Sequence, residues 1–117
     1  MQSRHGSLEG AILSALWNLE ENEVYTNSVK DVFEILKKDN EKRAYTTVKT
    51  VMDRLAEKKF LLRFKQGKKF YYRTVYSNKE IVSNGLNELA NRYCMGDLEK
   101  LNNVLSELMH EKVLVGV

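Results

Sequence analysis

Apolar residues recur along the first part of this chain at spacings of three and four, which is the period of an amphipathic helix. One stripe predicts a helix over residues 8–19, and a second predicts a helix over about residues 28–38, with residues 26–28 offering capping side chains. Between them, Val24 and Tyr25 are compatible with a short strand. The inward positions that we expect for the two helices are Leu8, Ile12, Ala15, Leu16 and Leu19, then Val29, Val32, Phe33 and Leu36.

A third helix is predicted over residues 44–58, and its two faces differ sharply. The apolar stripe comprises Tyr45, Val48, Val51, Met52 and Leu55. The outward side of the first two turns carries Thr46, Thr47, Lys49 and Thr50, with Arg54 farther along one flank. No carboxylate occurs there before Asp53, followed by Glu57. Hydroxyls, methyl groups and a cation suit contacts with phosphates and base edges, so we interpret these turns as a major-groove reader.

After residue 59 the pattern changes to alternation around one glycine, which predicts a β-hairpin over residues 60–75. With a turn at residues 66–68, one face would hold Leu62, Phe64, Phe70 and Tyr72, and the other Arg63, Lys65, Lys69 and Arg73. Lys68 and Lys69 would meet the phosphate backbone at the turn. Three helices and a basic hairpin form the winged helix-turn-helix plan. The alternative is a hairpin that only completes the domain.

The helical period returns from residue 77, with a break predicted at residues 95–97, where Gly96 ends one helix and Asp97 caps the next. The apolar stripe of these two helices comprises Val82, Leu86, Leu89, Tyr93, Leu98, Leu101, Leu105 and Leu108. Two such helices have little core of their own to cover, so we expect a two-fold dimer. The alternative is a helical hairpin that packs back on its own domain.

These patterns predict a mainly α protein with a small β-hairpin, divided into a winged-helix domain over residues 1–76 and a helical dimerisation region over residues 77–117. The 117-residue chain is long enough for one such domain and a short appended module. Before the first helix, Arg4 and His5 are compatible with a DNA-contacting arm, although part of this segment is equally compatible with a foreign remnant.

Charge is unevenly distributed along the chain, although its total is only +3. Residues 1–40 have a net charge of −3 and residues 76–117 of −2, whereas residues 41–75 hold eleven basic and three acidic side chains, a net charge of +8. The positive segment contains the third helix and the hairpin. We interpret it as an electrostatic footprint for nucleic acid, against the alternative of a solvated lysine-rich surface.

The remaining composition argues against several other classes of protein. The two histidines lie near opposite ends, and no nucleophile–base pair, metal-ligand spacing or phosphate-binding glycine loop occurs, so we expect no enzyme and no cofactor. Cys94 is the only cysteine; we interpret it as an apolar side chain rather than a redox sensor. The lack of a disulfide, a long apolar run or a signal pattern favours a cytoplasmic protein.

The run from Ala44 to Lys58, followed by Phe60 to Arg63, closely resembles the penicillinase-repressor family of bacterial winged-helix regulators, the BlaI/MecI/CopY group. Leu8-Glu9 and Leu16-Trp17 match the ends of that family's first helix, and Gly67 to Tyr72 is similar to its wing. The resemblance covers residues 8–76 well. It implies a homodimeric transcriptional repressor that occupies an inverted-repeat operator in double-stranded DNA. By position, it implies that Thr46, Thr47 and Thr50 approach the groove, with Lys49 and Arg54 near bases or phosphates.

The chain departs from that family at two levels. Lys59 stands where the family usually has glycine, so the turn into the hairpin must form without one. The sequence also lacks the Asn-Phe dipeptide at which the β-lactam branch is cleaved and the cysteine cluster of the copper branch. Neither inducing mechanism is therefore transferred, which leaves a protease, a small-molecule inducer or no dedicated signal as alternatives. The competing functional hypothesis is a winged-helix protein-interaction module without sequence-specific DNA binding.

Overall fold

The computed structural model describes residues 7–114, with side chains through residue 111, so that Arg4 and His5 lie outside the described residues. The chain divides into two compact units, and the second begins at Lys79, close to the boundary predicted after residue 76. The first unit is a three-helix domain with a hairpin, and the second contains two helices. Among the described residues, no helix combines the length and apolar character needed to cross a membrane.

The first two helices begin at side-chain caps. Helix α1 spans Leu8–Glu21, and the Ser7 hydroxyl accepts a hydrogen bond from the Gly10 amide at 3.0 Å. Helix α2 spans Val29–Lys38 and begins with a capping box, in which Ser28 and Asp31 each accept a hydrogen bond from the other's backbone amide. Each cap satisfies amides that have no partner within the helix, which fixes where the helix starts.

Helix α3 spans Tyr45–Glu57, and the N-cap residue before it, Ala44, provides no side-chain cap. At the other end, Lys59 has a φ of 72° and its amide bonds to Ala56 O, while the Phe60 amide bonds to Leu55 O. These two bonds form a Schellman motif, which usually places glycine at the left-handed position. The turn predicted to form without glycine therefore forms with a lysine in a conformation that disfavours a Cβ atom.

The core of the first unit is formed mainly by the predicted apolar stripes. Its buried members are Ile12, Leu13, Ala15, Leu16, Val29, Val32, Leu36, Val48, Val51, Met52, Leu55, Leu61 and Tyr72. Trp17 packs against this core, and its indole nitrogen donates to Tyr76 O at 2.9 Å. Tyr45, which was predicted inside the stripe, is 44% exposed and makes an edge contact with the Phe33 ring.

The hairpin consists of β1 (Leu61–Gln66) and β2 (Lys69–Thr74), joined by the two-residue turn Gly67-Lys68. Only Gly67 of these two has a positive φ, which is the pattern of a type II′ turn. The predicted faces are wrong, because the three-residue turn assumed for them differs by one residue, and a one-residue shift transfers side chains to the other face. Arg63 lies opposite Tyr72 and Lys65 opposite Phe70, so each face mixes basic and apolar residues.

Two contacts fasten β2 to the rest of the first unit. The Tyr72 amide donates to Asn27 O at 2.8 Å, and the Asn27 side chain, which is 1% exposed, donates to Val24 O. The strand proposed at Val24 and Tyr25 is therefore wrong: the only strand-like pairing described in this segment is the bridge at Asn27. At the end of β2, the Glu20 carboxylate accepts bonds from the Thr74 amide and hydroxyl at 2.8 and 2.5 Å.

The second unit contains α4 (Asn78–Tyr93) and α5 (Leu98–Leu114). The break between them forms as predicted: Gly96 has a φ of 80°, and Asp97 Oδ1 accepts a hydrogen bond from the Glu99 amide at 2.9 Å. Ala90 is the buried residue among the side chains described in this unit. Of the predicted dimerisation residues, Leu101 is half-buried, and the others are exposed: Val82, Leu86, Leu89, Tyr93, Leu98, Leu105 and Leu108.

Three packed helices followed by a two-stranded antiparallel hairpin constitute a winged helix-turn-helix. The predicted fold class, mainly α with a small hairpin and two further helices, is confirmed. The helices α1, α2 and α3 pack pairwise around the core, and the hairpin packs on α3 and α1. This packing leaves the outward side of α3 beside the hairpin.

Candidate nucleic-acid interface

The outward side of α3 presents the polar residues that were predicted to read DNA. Thr46, Thr47, Lys49, Thr50 and Arg54 are all exposed, and the buried residues of the helix lie on its other side. No acidic residue occurs in the first turn. No carboxylate of the first turn therefore offsets the positive potential that the helix dipole creates at this end, which favours the approach of a phosphate-bearing ligand.

The threonine hydroxyls are not equivalent in their hydrogen bonding. Thr50 Oγ1 donates to Thr46 O one turn earlier at 2.9 Å, so its hydrogen is used within the helix and its oxygen remains an acceptor. The hydroxyls of Thr46 and Thr47 have no hydrogen-bond partner among the described residues. These two side chains are thus available both as donors and as acceptors to a base edge or a phosphate.

Lys49 is engaged by a carboxylate of its own helix. Its ammonium lies 2.8 Å from Asp53 Oδ2, one turn later. From the sequence, Lys49 and Asp53 were expected to be separate features of the helix surface. The structure brings them together on one edge of α3, so that Lys49 must exchange or share this partner to contact DNA.

Asp53 also joins α3 to both strands of the hairpin. Its Oδ1 atom accepts a hydrogen bond from the Tyr72 hydroxyl at 2.6 Å and another from Arg63 Nη1 at 3.2 Å. Since Arg63 and Tyr72 are cross-strand partners, one carboxylate oxygen reaches both. Lys49, Asp53, Arg63 and Tyr72 together form what we call the Asp53 cluster.

Ionisation in the Asp53 cluster follows from these contacts. Partial burial tends to raise the pKa of Asp53, but hydrogen bonds from Lys49, Tyr72 and Arg63 outweigh it, and the pKa lies below its ordinary value. Burial, together with the hydrogen bond to Asp53, raises the pKa of Tyr72 to about 12. The bond to Asp53 also raises the pKa of Arg63. At neutral pH the cluster therefore contains one carboxylate, two cations and a neutral phenol.

Two cations of the hairpin lie against an aromatic ring. The Arg63 guanidinium carbon is 4.6 Å from the centre of the Phe70 ring, and Lys65 Nζ is 5.6 Å from it. Phe70 itself is 46% exposed. A ring face attracts cations through its quadrupole, so Phe70 restrains both side chains on the surface of the hairpin. This restraint was not predicted, because the assumed register placed Lys65 and Phe70 on opposite faces.

Four other basic side chains of α3 and the hairpin have no ion-pair or hydrogen-bond partner within the described part of the chain: Arg54, Lys68, Lys69 and Arg73. Each is exposed. Lys68 and Lys69 lie at the turn and the start of β2, at the tip of the hairpin, as the predicted turn implied. Unpaired exposed cations of this kind bind phosphates without first breaking an internal contact.

Asp53 and Arg63 were not predicted as members of the site. Asp53 was regarded only as the residue at which the outward side of α3 turns acidic. The available signal was its spacing of four from Lys49, which predicts an ion pair on a helix. Among the described residues, no group of three or more acidic, histidine or cysteine side chains could hold a metal ion.

Comparison with known proteins identifies relatives of this chain. A family model described as penicillinase repressor matches residues 5–114. Two curated relatives, each named transcriptional regulator BlaI and from Mycobacterium tuberculosis strains CDC 1551 and H37Rv, are 35% identical over 81 residues, which is 69% of this chain and 55% of each relative. The chain thus spans about half the length of the curated relatives it matches.

Among solved structures, the ferric uptake regulator of Francisella tularensis, determined with iron, aligns with a TM-score of 0.50 at 21% identity, covering 63% of this chain and 55% of that chain. This likeness supports the fold alone. The family match spans all of the described residues and includes α3, the hairpin and both later helices. The family comprises transcription regulators and not enzymes. On this evidence, the chain belongs to the penicillinase repressor (BlaI/MecI/CopY) family of winged-helix transcriptional regulators.

Proposed function

We propose that this protein is a DNA-binding transcriptional repressor that occupies an inverted-repeat operator as a homodimer. In this proposal α3 enters the major groove, and the β1–β2 hairpin lies along the phosphate backbone. The observation that carries the proposal is the exposed side of the first two turns of α3, which has threonines and a lysine but no carboxylate. Such a surface suits contacts with base edges and phosphates.

The charges around α3 support the same function. Lys68, Lys69 and Arg73 are exposed on the hairpin and have no ion-pair or hydrogen-bond partner among the described residues, and Arg54 is exposed on the flank of α3. A cation that is already solvated and unpaired releases condensed counterions when it meets a phosphate, which favours binding. The neighbouring threonines carry no charge and add contacts that depend on the base sequence. We therefore assign selection of the base sequence mainly to α3 and binding of the phosphate backbone mainly to the hairpin.

The exposed apolar stripe of α4 and α5 supports the homodimer. Val82, Leu86, Leu89 and Tyr93 lie along one side of α4, and each is at least 42% exposed. Leu98, Leu105 and Leu108 continue the pattern on α5 at 51% exposure or more. Exposed apolar stripes of this kind typically mark an interface. A two-fold dimer would also supply the second α3 that an inverted repeat requires.

The names of the relatives support this proposal at a coarser level. Both Mycobacterium tuberculosis proteins are named as transcriptional regulators. Their shared segment with this chain covers little more than half of their length, so partners and inducers of those proteins are not transferred. The proposal for this chain depends on its own surface.

Salt dependence of DNA binding tests the proposal directly. Binding to mixed-sequence duplex should weaken steeply with salt, with a log–log slope of about −0.9 for each phosphate contact. Lys69→Ala should lower affinity for all duplexes about equally and reduce the magnitude of the slope by about 1. Lys100→Ala on α5 removes the same charge from an exposed position of the second unit and should change neither quantity.

Base selection is tested by a threonine substitution. Thr46→Ala should reduce the preference for duplexes that the wild-type protein selects from a random pool by about 1 kcal/mol or more. An unchanged preference would remove Thr46 from the readers. Absence of DNA binding, or binding that ignores salt, would instead favour the protein-interaction module. The dimer is tested separately: truncation before Asp97 should raise the dissociation constant of the dimer in sedimentation experiments.

A further inference from the structure

Asp53 occupies an unexpected place for a carboxylate in a protein that binds DNA. It lies in the segment of the chain with a net charge of +8, and its side chain is 29% exposed. A negative charge at such a place repels phosphates and lowers affinity for every DNA sequence. The fold requires a hydrogen-bond acceptor here for one group, the Tyr72 hydroxyl, because Tyr72 is only 2% exposed. A neutral amide oxygen would also accept this hydrogen bond, although less strongly.

The charge of Asp53 instead acts on two cations. Lys49 is held at 2.8 Å on α3, and Arg63 is held at 3.2 Å on β1. Arg63 is restrained a second time by the ring of Phe70. A cation with a fixed internal partner contributes less to an arbitrary phosphate, since that partner must be given up or shared. The same restraint keeps the cation in one place for a ligand that fits it.

We propose that Asp53 is a positioning residue for base-sequence discrimination. Its carboxylate holds Lys49 on α3 and Arg63 on the hairpin in fixed positions, and it makes both cations less available to nonspecific DNA. This inference rests on the proposed DNA-binding function. It predicts an asymmetric effect of removing the charge. Affinity for unselected DNA rises, because repulsion is lost and two cations are released. Affinity for selected DNA rises less or falls, because the same two cations lose their fixed positions.

The experiment compares three full-length proteins: wild type, Asp53→Asn and Glu57→Gln. Glu57 is an exposed carboxylate on the same helix, and it has no ion-pair or hydrogen-bond partner within the described residues. Both substitutions therefore raise the net charge by the same amount, while the amide introduced by Asp53→Asn keeps an oxygen for the Tyr72 hydroxyl. The probes are a mixed-sequence duplex and a duplex that the wild-type protein selects from a random pool.

For Asp53→Asn we expect tighter binding to the mixed duplex and a ratio of selected to mixed affinity that falls by about fivefold, comparable to loss of one good base contact. Glu57→Gln should tighten binding to both duplexes by a similar small factor and leave the ratio unchanged. Equal ratios for the two variants would overturn the proposal. A wild-type protein that neither selects a sequence nor responds to salt would overturn the DNA-binding function, and this inference with it.

Two further variants separate positioning from a structural role. In a Lys49→Gln background, Asp53→Asn should change the ratio less than it does alone, because one restrained cation is already absent. Tyr72→Phe removes a hydrogen bond to Asp53 but keeps both ion pairs, so it should lower thermal stability and largely retain the ratio. If Asp53→Asn and Tyr72→Phe instead lower stability and the ratio in parallel, Asp53 acts through folding and the proposal fails.

Discussion

The two units of this chain treat their apolar residues in opposite ways. In the first unit, the stripes of three helices meet one another, and residues such as Ile12, Leu16 and Val32 are fully buried. In the second unit, stripes of comparable spacing remain exposed, with Leu86 and Leu105 at 42% and 51%. Identical periodicity thus predicts the presence of a helix in both units, but not what covers its apolar side. What covers an apolar side depends on whether the fold brings other apolar stripes against it, as it does among α1, α2 and α3.

The largest expected effect lies in the core of the first unit. Leu16→Ala should lower the free energy of unfolding by about 2–5 kcal/mol, because it removes buried methyl groups and leaves a cavity among close-packed neighbours. Chemical denaturation monitored by circular dichroism measures the change, and it should be independent of protein concentration. A loss of unfolding free energy below about 1 kcal/mol would contradict the contrast between the two units, because this buried leucine would then contribute little more than an exposed one.

The matching substitution in the second unit should behave differently. Leu105 is 51% exposed, so Leu105→Ala should leave the unfolding of dilute monomer nearly unchanged. It should weaken the proposed dimer by about 1–3 kcal/mol, as expected for an apolar residue that only a partner would bury. Analytical ultracentrifugation measures the dissociation constant. Asn103→Ala is the control, because Asn103 is exposed on the side of α5 away from the stripe. Equal effects of the two substitutions would place the interface elsewhere.

A polar contact sharpens the comparison within the first unit. Tyr72→Phe should destabilise the protein by about 1.5–3 kcal/mol near neutral pH, because it removes a hydrogen bond to a charged acceptor. The pKa of Tyr72 is raised from 10.0 to about 12 in the folded state, so the folded protein keeps a proton that the unfolded chain loses. This contribution is complete below about pH 10 and is lost as the pH rises through about 12.

Denaturation of both proteins at a series of alkaline pH values measures this effect. The stability difference between wild type and Tyr72→Phe should shrink as the pH rises through that window, since the other titrating groups are shared. A difference that stays constant would show that the phenol does not titrate with the raised pKa. The helical signal of the second unit should be the same in both proteins at any given pH.

The smallest expected effect concerns the end of α3. Lys59→Gly should raise the free energy of unfolding by about 0.5–1 kcal/mol, because glycine adopts a φ of 72° without the steric penalty of a Cβ atom. The greater conformational freedom of glycine in the unfolded chain offsets part of this gain. Lys59→Ala removes the same charge but keeps the Cβ atom, so it should bring no such gain. Stabilisation by both variants alike would point to charge rather than backbone conformation.

Local patterns in the sequence sufficed to predict the helices and the presence of the hairpin. Helices α1, α2 and α3 begin within a residue of the positions expected from the apolar period. The faces of the hairpin were not predictable in the same way, because they depend on whether the turn has two residues or three. Gln66 is compatible with either choice, and its pairing with Lys69 decides the register.

The members of the Asp53 cluster could not be predicted from the sequence, for a related reason. Its ion pair within α3 follows from a spacing of four, but its contacts with Arg63 and Tyr72 require the hairpin register and the packing of the hairpin on α3. The contact of Glu20 with Thr74 spans a longer separation of 54 residues, and nothing in the acidic run around Glu20 distinguishes it from a solvated turn. Long-range polar contacts need a three-dimensional placement that periodicity does not contain.

The position of Trp17 has a practical consequence for such measurements. It is the only tryptophan of the chain, and its indole donates a hydrogen bond to Tyr76 O, at the end of the first unit. Indole emission therefore reports on the opening of that unit, whereas far-ultraviolet ellipticity reports on the helices of both units. The difference between the fluorescence and circular-dichroism transitions of one sample would therefore isolate the unfolding of α4 and α5. The gap between the two midpoints would change with protein concentration if the second unit folds against a second copy.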